Sequence, residues 1–132
     1  MRHFLTCAAL LLAAPLFPVS AGWAYKNRVR DEAAEGKTLD DMTAALREKD
    51  WEKCGALLRN DLSKAVFEKF PVLGMLRDEI RKRGAAGVEV SGSGPTLLAV
   101  FRSDSELSEA IKSLEAAPVH FPVRYYEANK VI

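Results

Sequence analysis

The hexapeptide Ser91-Gly92-Ser93-Gly94-Pro95-Thr96 is the stretch of this chain whose residue types and spacing suit chemistry. Its two glycines permit positive φ and close backbone approach. Successive N–H groups can therefore point into one concavity, and the hydroxyls of Ser93 and Thr96 add donors. The ligand that such a loop takes is a phosphate, so Ser91, Gly92, Ser93, Gly94 and Thr96 form the candidate phosphate and nucleotide loop. As a bare pattern the loop is generic. It lacks the third glycine of a dinucleotide fingerprint and the Gly-Lys-Ser/Thr of a P-loop, and it runs into an apolar strand-like segment rather than a helix. Taken alone it reads more readily as a hairpin connection.

The other reactive residue types offer less. Cys7 and Cys54 are too few and too far apart for a disulfide framework or a Cys-based zinc site, and His3 and His120 leave a transition metal without a ligand set. Cys54 falls in the apolar stripe Trp51, Cys54, Leu57, Leu58, which marks it as a small core residue and not a reactive thiol. Arg81-Lys82-Arg83 closes a helical pattern, where positive charge complements the helix dipole; that reading is preferred to a phosphate-binding one. Asn60 and Asp61 read as turn-forming or capping residues. With 19 Lys+Arg against 18 Asp+Glu, a formal net charge of +1, the chain has no surplus with which to neutralise a nucleic acid.

These residues must be positioned by one domain, since 132 residues with 48% hydrophobic content bury roughly two-thirds of their unfolded surface. The N-terminus is ambiguous. Met1-Arg2-His3, the apolar run Phe4–Phe17 and the small residues near Ala21 have the charge, core and exit of a secretory signal. The run is too short to span a membrane, and it reads equally as a buried strand from Leu10 to Leu16. Leu39, Met42 and Leu46 predict a helix, capped by Thr38 with Asp41, after a solvated loop over Arg28–Lys37. Asp50 starts a second helix that ends near Asn60-Asp61, and a short turn with Leu62, Val66, Phe67 and Phe70 follows. Pro71 opens another helix, with Leu73, Leu76 and Ile80 on its inner face and Gly84 as its stop. Strands are predicted at Gly87–Val90, Leu97–Phe101 and Val123–Ala128. Between the last two lies a helix capped by Ser103 with Glu106, its face formed by Leu107, Ala110, Ile111 and Leu114. Short connections in this order predict an α+β sandwich of ferredoxin-like type: an antiparallel sheet with helices packed on one face.

Three segments in succession carry a family resemblance: Asn60-Asp61-Leu62-x-x-Ala65-Val66, Phe70-Pro71-Val72-Leu73, and Gly84-Ala85-Ala86-Gly87-Val88-x-Val90 running into the loop Ser91–Thr96. Together they resemble the C-terminal part of the GHMP kinases. Phe17–Lys26 is similar to a Val-Ser-Thr-x-x-Ala-Tyr stretch of the same half in members that act on a diphosphocytidyl small molecule, with Ala21 where those members usually have Thr. The resemblance implies that residues 10–132 are a GHMP kinase C-terminal domain, with 1–9 an irregular or misassigned start, and that the apolar run is a core strand. It implies ATP with Mg2+ as cofactor, an alcohol as phosphoryl acceptor and a cytoplasmic location. Gly92, Ser93 and Gly94 would border the phosphates, and Ser20 and Tyr25 would lie near the substrate. It also implies a partner. Family members carry an N-terminal ATP-binding domain with a Pro-x-x-x-Gly-Leu-Gly-Ser-Ser-Ala loop and an Asp that acts on the acceptor hydroxyl. Neither is found in this sequence, so no catalytic residue is assigned and no activity is expected of the chain alone. Two other readings stay open: a stand-alone ferredoxin-like module binding a small anionic ligand, and a secreted α+β domain with a signal peptide.

Overall fold

Residues 9–29, 32–117 and 121–128 are described in the computed structural model of the chain; His3, Cys7 and His120 lie outside them. From Ala9 to Pro15, buried residues alternate with half-buried ones, the signature of a strand laying one face on a core. This strand, β1, lies one residue earlier than Leu10–Leu16. The remaining strands are β2 (Gly87–Val90), β3 (Leu97–Phe101) and β4 (Val123–Glu127). They form one sheet in the order β2-β3-β1-β4. Every neighbouring pair is antiparallel, with Leu11 opposite Ala99 on one side and Glu127 on the other. Two split β-α-β units interleave in this order, which is the ferredoxin-like arrangement predicted from the element sequence.

Six helices accompany the sheet among the described residues: α1 (Ala21–Lys26), α2 (Glu32–Glu48), α3 (Trp51–Ala56), α4 (Ser63–Lys69), α5 (Pro71–Lys82) and α6 (Asp104–Ala116). On α5 the buried residues are Leu73, Leu76 and Ile80, one helical stripe, with Pro71 in the first turn. On α6 they are Leu107, Ala110 and Leu114, and the Ser103 hydroxyl accepts the Glu106 N–H at 3.1 Å as N-cap. These stripes meet Leu11, Leu97 and Phe101 of the sheet in the main core. Arg83 is occupied structurally. Its guanidinium donates to the Glu79 carbonyl at 2.8 Å and to the Ser113 hydroxyl at 2.9 Å, which agrees with a role in ending the helix.

The structure departs from expectation between the first strand and α4. Where a solvated loop was predicted over Arg28–Lys37, α2 starts at Glu32, and Thr38 lies well inside it instead of capping it. The physical reason is propensity: Glu32, Ala33, Ala34, Glu35 and Lys37 are good helix formers. The face expected to be apolar is also turned outward, since Leu39 is 67% and Leu46 51% exposed while Ala45 is buried. α3 ends at Ala56, with Leu57 its C-cap, short of Asn60. The helix α1 has no counterpart among the predicted elements.

Candidate functional site

The loop between β2 and β3 closes on itself with two backbone hydrogen bonds, Ser91 N–H to Thr96 O at 2.8 Å and Gly94 N–H to Ser91 O at 3.1 Å. Both glycines take the left-handed conformation, Gly92 at φ +62 and Gly94 at φ +80. They face different surroundings. A Cβ on Gly94 would meet Val90 Cγ1 at 3.3 Å and Val66 Cγ1 at 3.5 Å, whereas one on Gly92 would meet nothing within 4 Å. Among the described residues, the consecutive N–H groups of Gly92 and Ser93 have no acceptor, and the hydroxyls of Ser91, Ser93 and Thr96 make no hydrogen bond. Two adjacent free amides on a glycine turn can donate to an anion where they converge.

Gly92 and Ser91 border an open cleft of about 680 Å³ that is also lined by Tyr25, Arg28, Arg59, Asn60 and Asp61. Tyr25 is placed by α1, whose N-cap is Ser20 and whose Trp23 packs edge-on against Phe70 at 6.4 Å between ring centroids. The Lys69 ammonium lies 4.2 Å from the Trp23 ring centre and adds a cation–π contact to this helix. Of the residues predicted to form a site, Tyr25, Ser91 and Gly92 therefore meet at one cleft. Ser20 is not among its lining residues. Its hydroxyl accepts the Trp23 N–H at 3.2 Å, so its evident work is to cap α1.

Two arginines of the cleft went unpredicted. Arg28 donates through Nη1 to the Tyr25 carbonyl at 2.8 Å, and Arg59 donates through Nη2 to Asp61 Oδ1 at 2.9 Å. Two guanidinium groups against one carboxylate leave the lining net positive, which favours an anionic ligand. Nothing in the local sequence pattern marks either residue, because their common position depends on the chain returning after α3. That return is secured by the Val29 N–H, which donates to the Asp61 carbonyl at 3.0 Å. Asn60, expected as a turn or capping residue, also lines the cleft and holds the loop. Its Nδ2 donates to the carbonyls of Val90 at 2.8 Å and Gly92 at 2.7 Å, and its Oδ1 accepts the Leu62 N–H at 2.9 Å.

Among the described residues no group of three His, Cys, Asp or Glu could hold a metal ion. Cys54 is buried, and its thiol is pushed above the ordinary range by burial first and by the nearby Asp50 carboxylate second. A thiol held neutral in this way is a packing group and not a nucleophile. No helix of the described residues is long and apolar enough to cross a membrane.

Comparison with known proteins bears on the same elements. The sequence profile of the GHMP kinases C terminal family matches residues 42–120, more than half of the chain, from α2 through α6. The chain belongs to the GHMP kinase C-terminal family. Similar curated proteins are 4-diphosphocytidyl-2-C-methyl-D-erythritol kinases. That of Geobacter metallireducens is 33% identical over 105 residues, covering 80% of this chain and 36% of that protein. That of Synechococcus sp. is 35% identical over 121 residues, covering 86% and 38%. The chain thus spans little more than a third of these relatives. Solved GHMP folds superpose on it. A homoserine kinase from Cytophaga hutchinsonii does so with a TM-score of 0.73 at 18% identity, over 92% of this chain and 41% of that one. A 4-(cytidine 5'-diphospho)-2C-methyl-D-erythritol kinase does so with a TM-score of 0.65 at 21% identity, over 89% and 41%. At these identities the superpositions establish the shared fold.

Proposed function

We propose that this chain is the C-terminal portion of an ATP-dependent kinase that phosphorylates the 2-hydroxyl of 4-diphosphocytidyl-2-C-methyl-D-erythritol, a step of non-mevalonate isoprenoid biosynthesis in the cytoplasm. The observation that carries this reading is the free amide pair of Gly92 and Ser93 beside a positively charged cleft, in a chain whose similar curated relatives are such kinases. In this role the two N–H groups donate to phosphate oxygens, and Arg28 and Arg59 offset ligand charge. Tyr25, 55% exposed, lies within reach of the substrate. ATP supplies the phosphoryl group. The loop amides suit its phosphates, whereas the described residues contain no ligand set for the accompanying Mg2+. That ion, the main triphosphate cradle and the Asp acting on the acceptor hydroxyl are assigned to an N-terminal GHMP domain as partner. The reaction needs both halves, because phosphoryl transfer depends on positioning ATP and acceptor in line.

The test is to combine the purified chain with the N-terminal domain of a related kinase, fused or in trans, and to measure ATP-dependent phosphorylation of the diphosphocytidyl substrate. The chain alone should give no turnover and the combination should give turnover, with Gly92→Val lowering kcat/KM by at least ~10-fold. Turnover by the chain alone would refute the assignment of the catalytic groups to the partner. A folded but inert combination would refute the kinase reading. Tight ADP binding by the isolated chain, without activity in any combination, would favour the stand-alone anion-binding module.

A further inference from the structure

We infer that Asn60 is the positioning residue of the phosphate loop, fixing the orientation of the Gly92–Ser93 peptide. The inference rests on the reading of that loop as an anion site. The Gly92 carbonyl and the Ser93 N–H belong to one planar trans peptide unit, so they point in opposite directions. Whatever holds the carbonyl therefore aims the amide. The loop's own two backbone bonds involve Ser91, Gly94 and Thr96, and neither uses the carbonyl or the N–H of this peptide. Gly92, at φ +62 with open space around its Cα, offers no steric resistance of its own to a flip, so on the glycine side only a hydrogen bond can oppose it. A flipped peptide would present a carbonyl to the phosphate in place of a donor.

Asn60 prevents the flip. Its Nδ2 takes the Gly92 carbonyl at 2.7 Å and the Val90 carbonyl at 2.8 Å, while its Oδ1 takes the Leu62 N–H at 2.9 Å. Two acceptors on one side and a donor on the other allow the amide only one orientation, and a carboxylate could not replace it. The Asn60 turn is also tied to the chain just after α1 through the Val29 N–H to Asp61 O bond, so one turn links the loop to the segment that carries Tyr25 and Arg28.

The experiment uses the 15N-labelled chain and the variant Asn60→Asp, which keeps the shape and the acceptor for Leu62 but loses both donors. Without ligand, the variant should show faster amide exchange and greater backbone mobility at Gly92 and Ser93, with the resonances of α5 and α6 unchanged. Acidification that protonates the new carboxyl should partly restore order, because a protonated oxygen can again donate. Titration with inorganic phosphate and with ADP, read at the Gly92 and Ser93 amides, should show affinity reduced at least ~10-fold in the variant. Unchanged loop mobility in the variant would overturn the inference, as would unchanged affinity. A wild-type chain that ignores phosphate and ADP while the variant loosens would refute the anion-site reading and leave the hold of Asn60 on the peptide standing. Should the variant fail to fold, the wild-type Asn60 side-chain amide decides. Exchange-protected Nδ2 protons close to the Gly92 α-protons support the inference, and a freely exchanging side chain overturns it.

Discussion

Gly92 and Gly94 share a left-handed backbone but not a neighbourhood, and substitution should separate them. Gly92→Ala meets only the conformational penalty, about 1–2 kcal/mol, because nothing lies within 4 Å of its Cβ. Gly94→Ala adds a contact of 3.3 Å with Val90 Cγ1 and should be the more destabilising of the two in urea denaturation; equal losses would mean that the loop's inner side yields freely. Cys54 gives a pH dependence. Burial favours its neutral thiol, so the folded-state pKa is raised and the folded state holds the proton longer than the unfolded chain does. The associated stability is intact below the ordinary thiol value and is lost as pH rises through it toward the raised one. Thermal unfolding of wild type and Cys54→Ala between pH 7 and 10 should show a steeper alkaline decline in wild type, and parallel curves would refute this. The loop glycines and hydroxyls were legible in the sequence because their chemistry is local. Asn60 was legible only as a turn residue, since the carbonyls it holds are 30 and 32 positions away.

Among the elements, α3 and β2 meet backbone to backbone. A Cβ on Gly55 would lie 2.7 Å from the Gly87 nitrogen, and one on Gly87 would lie 2.6 Å from the Gly55 Cα. Neither neighbour is a flexible side-chain end that could move aside. Gly87→Ala should therefore cost on the order of 3 kcal/mol, seen as a drop in Tm and as loss of order in α3, and a variant as stable as wild type would show that α3 is free to lift off the sheet. Sequence pattern located α5 and α6 because each has a buried stripe at three- and four-residue spacing and a terminal signal, Pro71 in one and Ser103 in the other. It misplaced the start of α2 because the criterion was an apolar stripe. This helix buries Ala45 and exposes Leu39 and Leu46, and its first residues are charged helix formers with no stripe to reveal them. It missed α1 because six residues are too few to show a period. The Ser20 hydroxyl, which the resemblance puts near the substrate, starts α1 by accepting the Trp23 N–H.

At the scale of the molecule, β1 is the element on which the sheet depends, and it is also the one whose segment the sequence left open between two readings. A strand with neighbours on both edges and apolar residues on both faces reads as a continuous apolar run, and so does the core of a secretory signal. In the structure, Leu11 and Ala13 are fully buried on the helical side, while Leu10 and Leu12 are half-buried on the other. β1 pairs with β3 from Ala9 opposite Phe101 to Ala13 opposite Leu97, and with β4 from Leu11 opposite Glu127 to Pro15 opposite Val123. Removing residues 1–21 would break both ladders at once. It would leave β4 without a neighbour, turn β3 into an unprotected edge, and uncover Leu97, Ala99 and Phe101 in the core, an arrangement that invites edge-to-edge association. The truncated chain should aggregate on refolding and give no cooperative unfolding transition, measured by size-exclusion chromatography and circular dichroism beside the full chain. Recovery of a soluble, monomeric, cooperatively unfolding product beginning at Gly22 would show that β1 is dispensable, and would return the apolar run to the cleavable-leader reading.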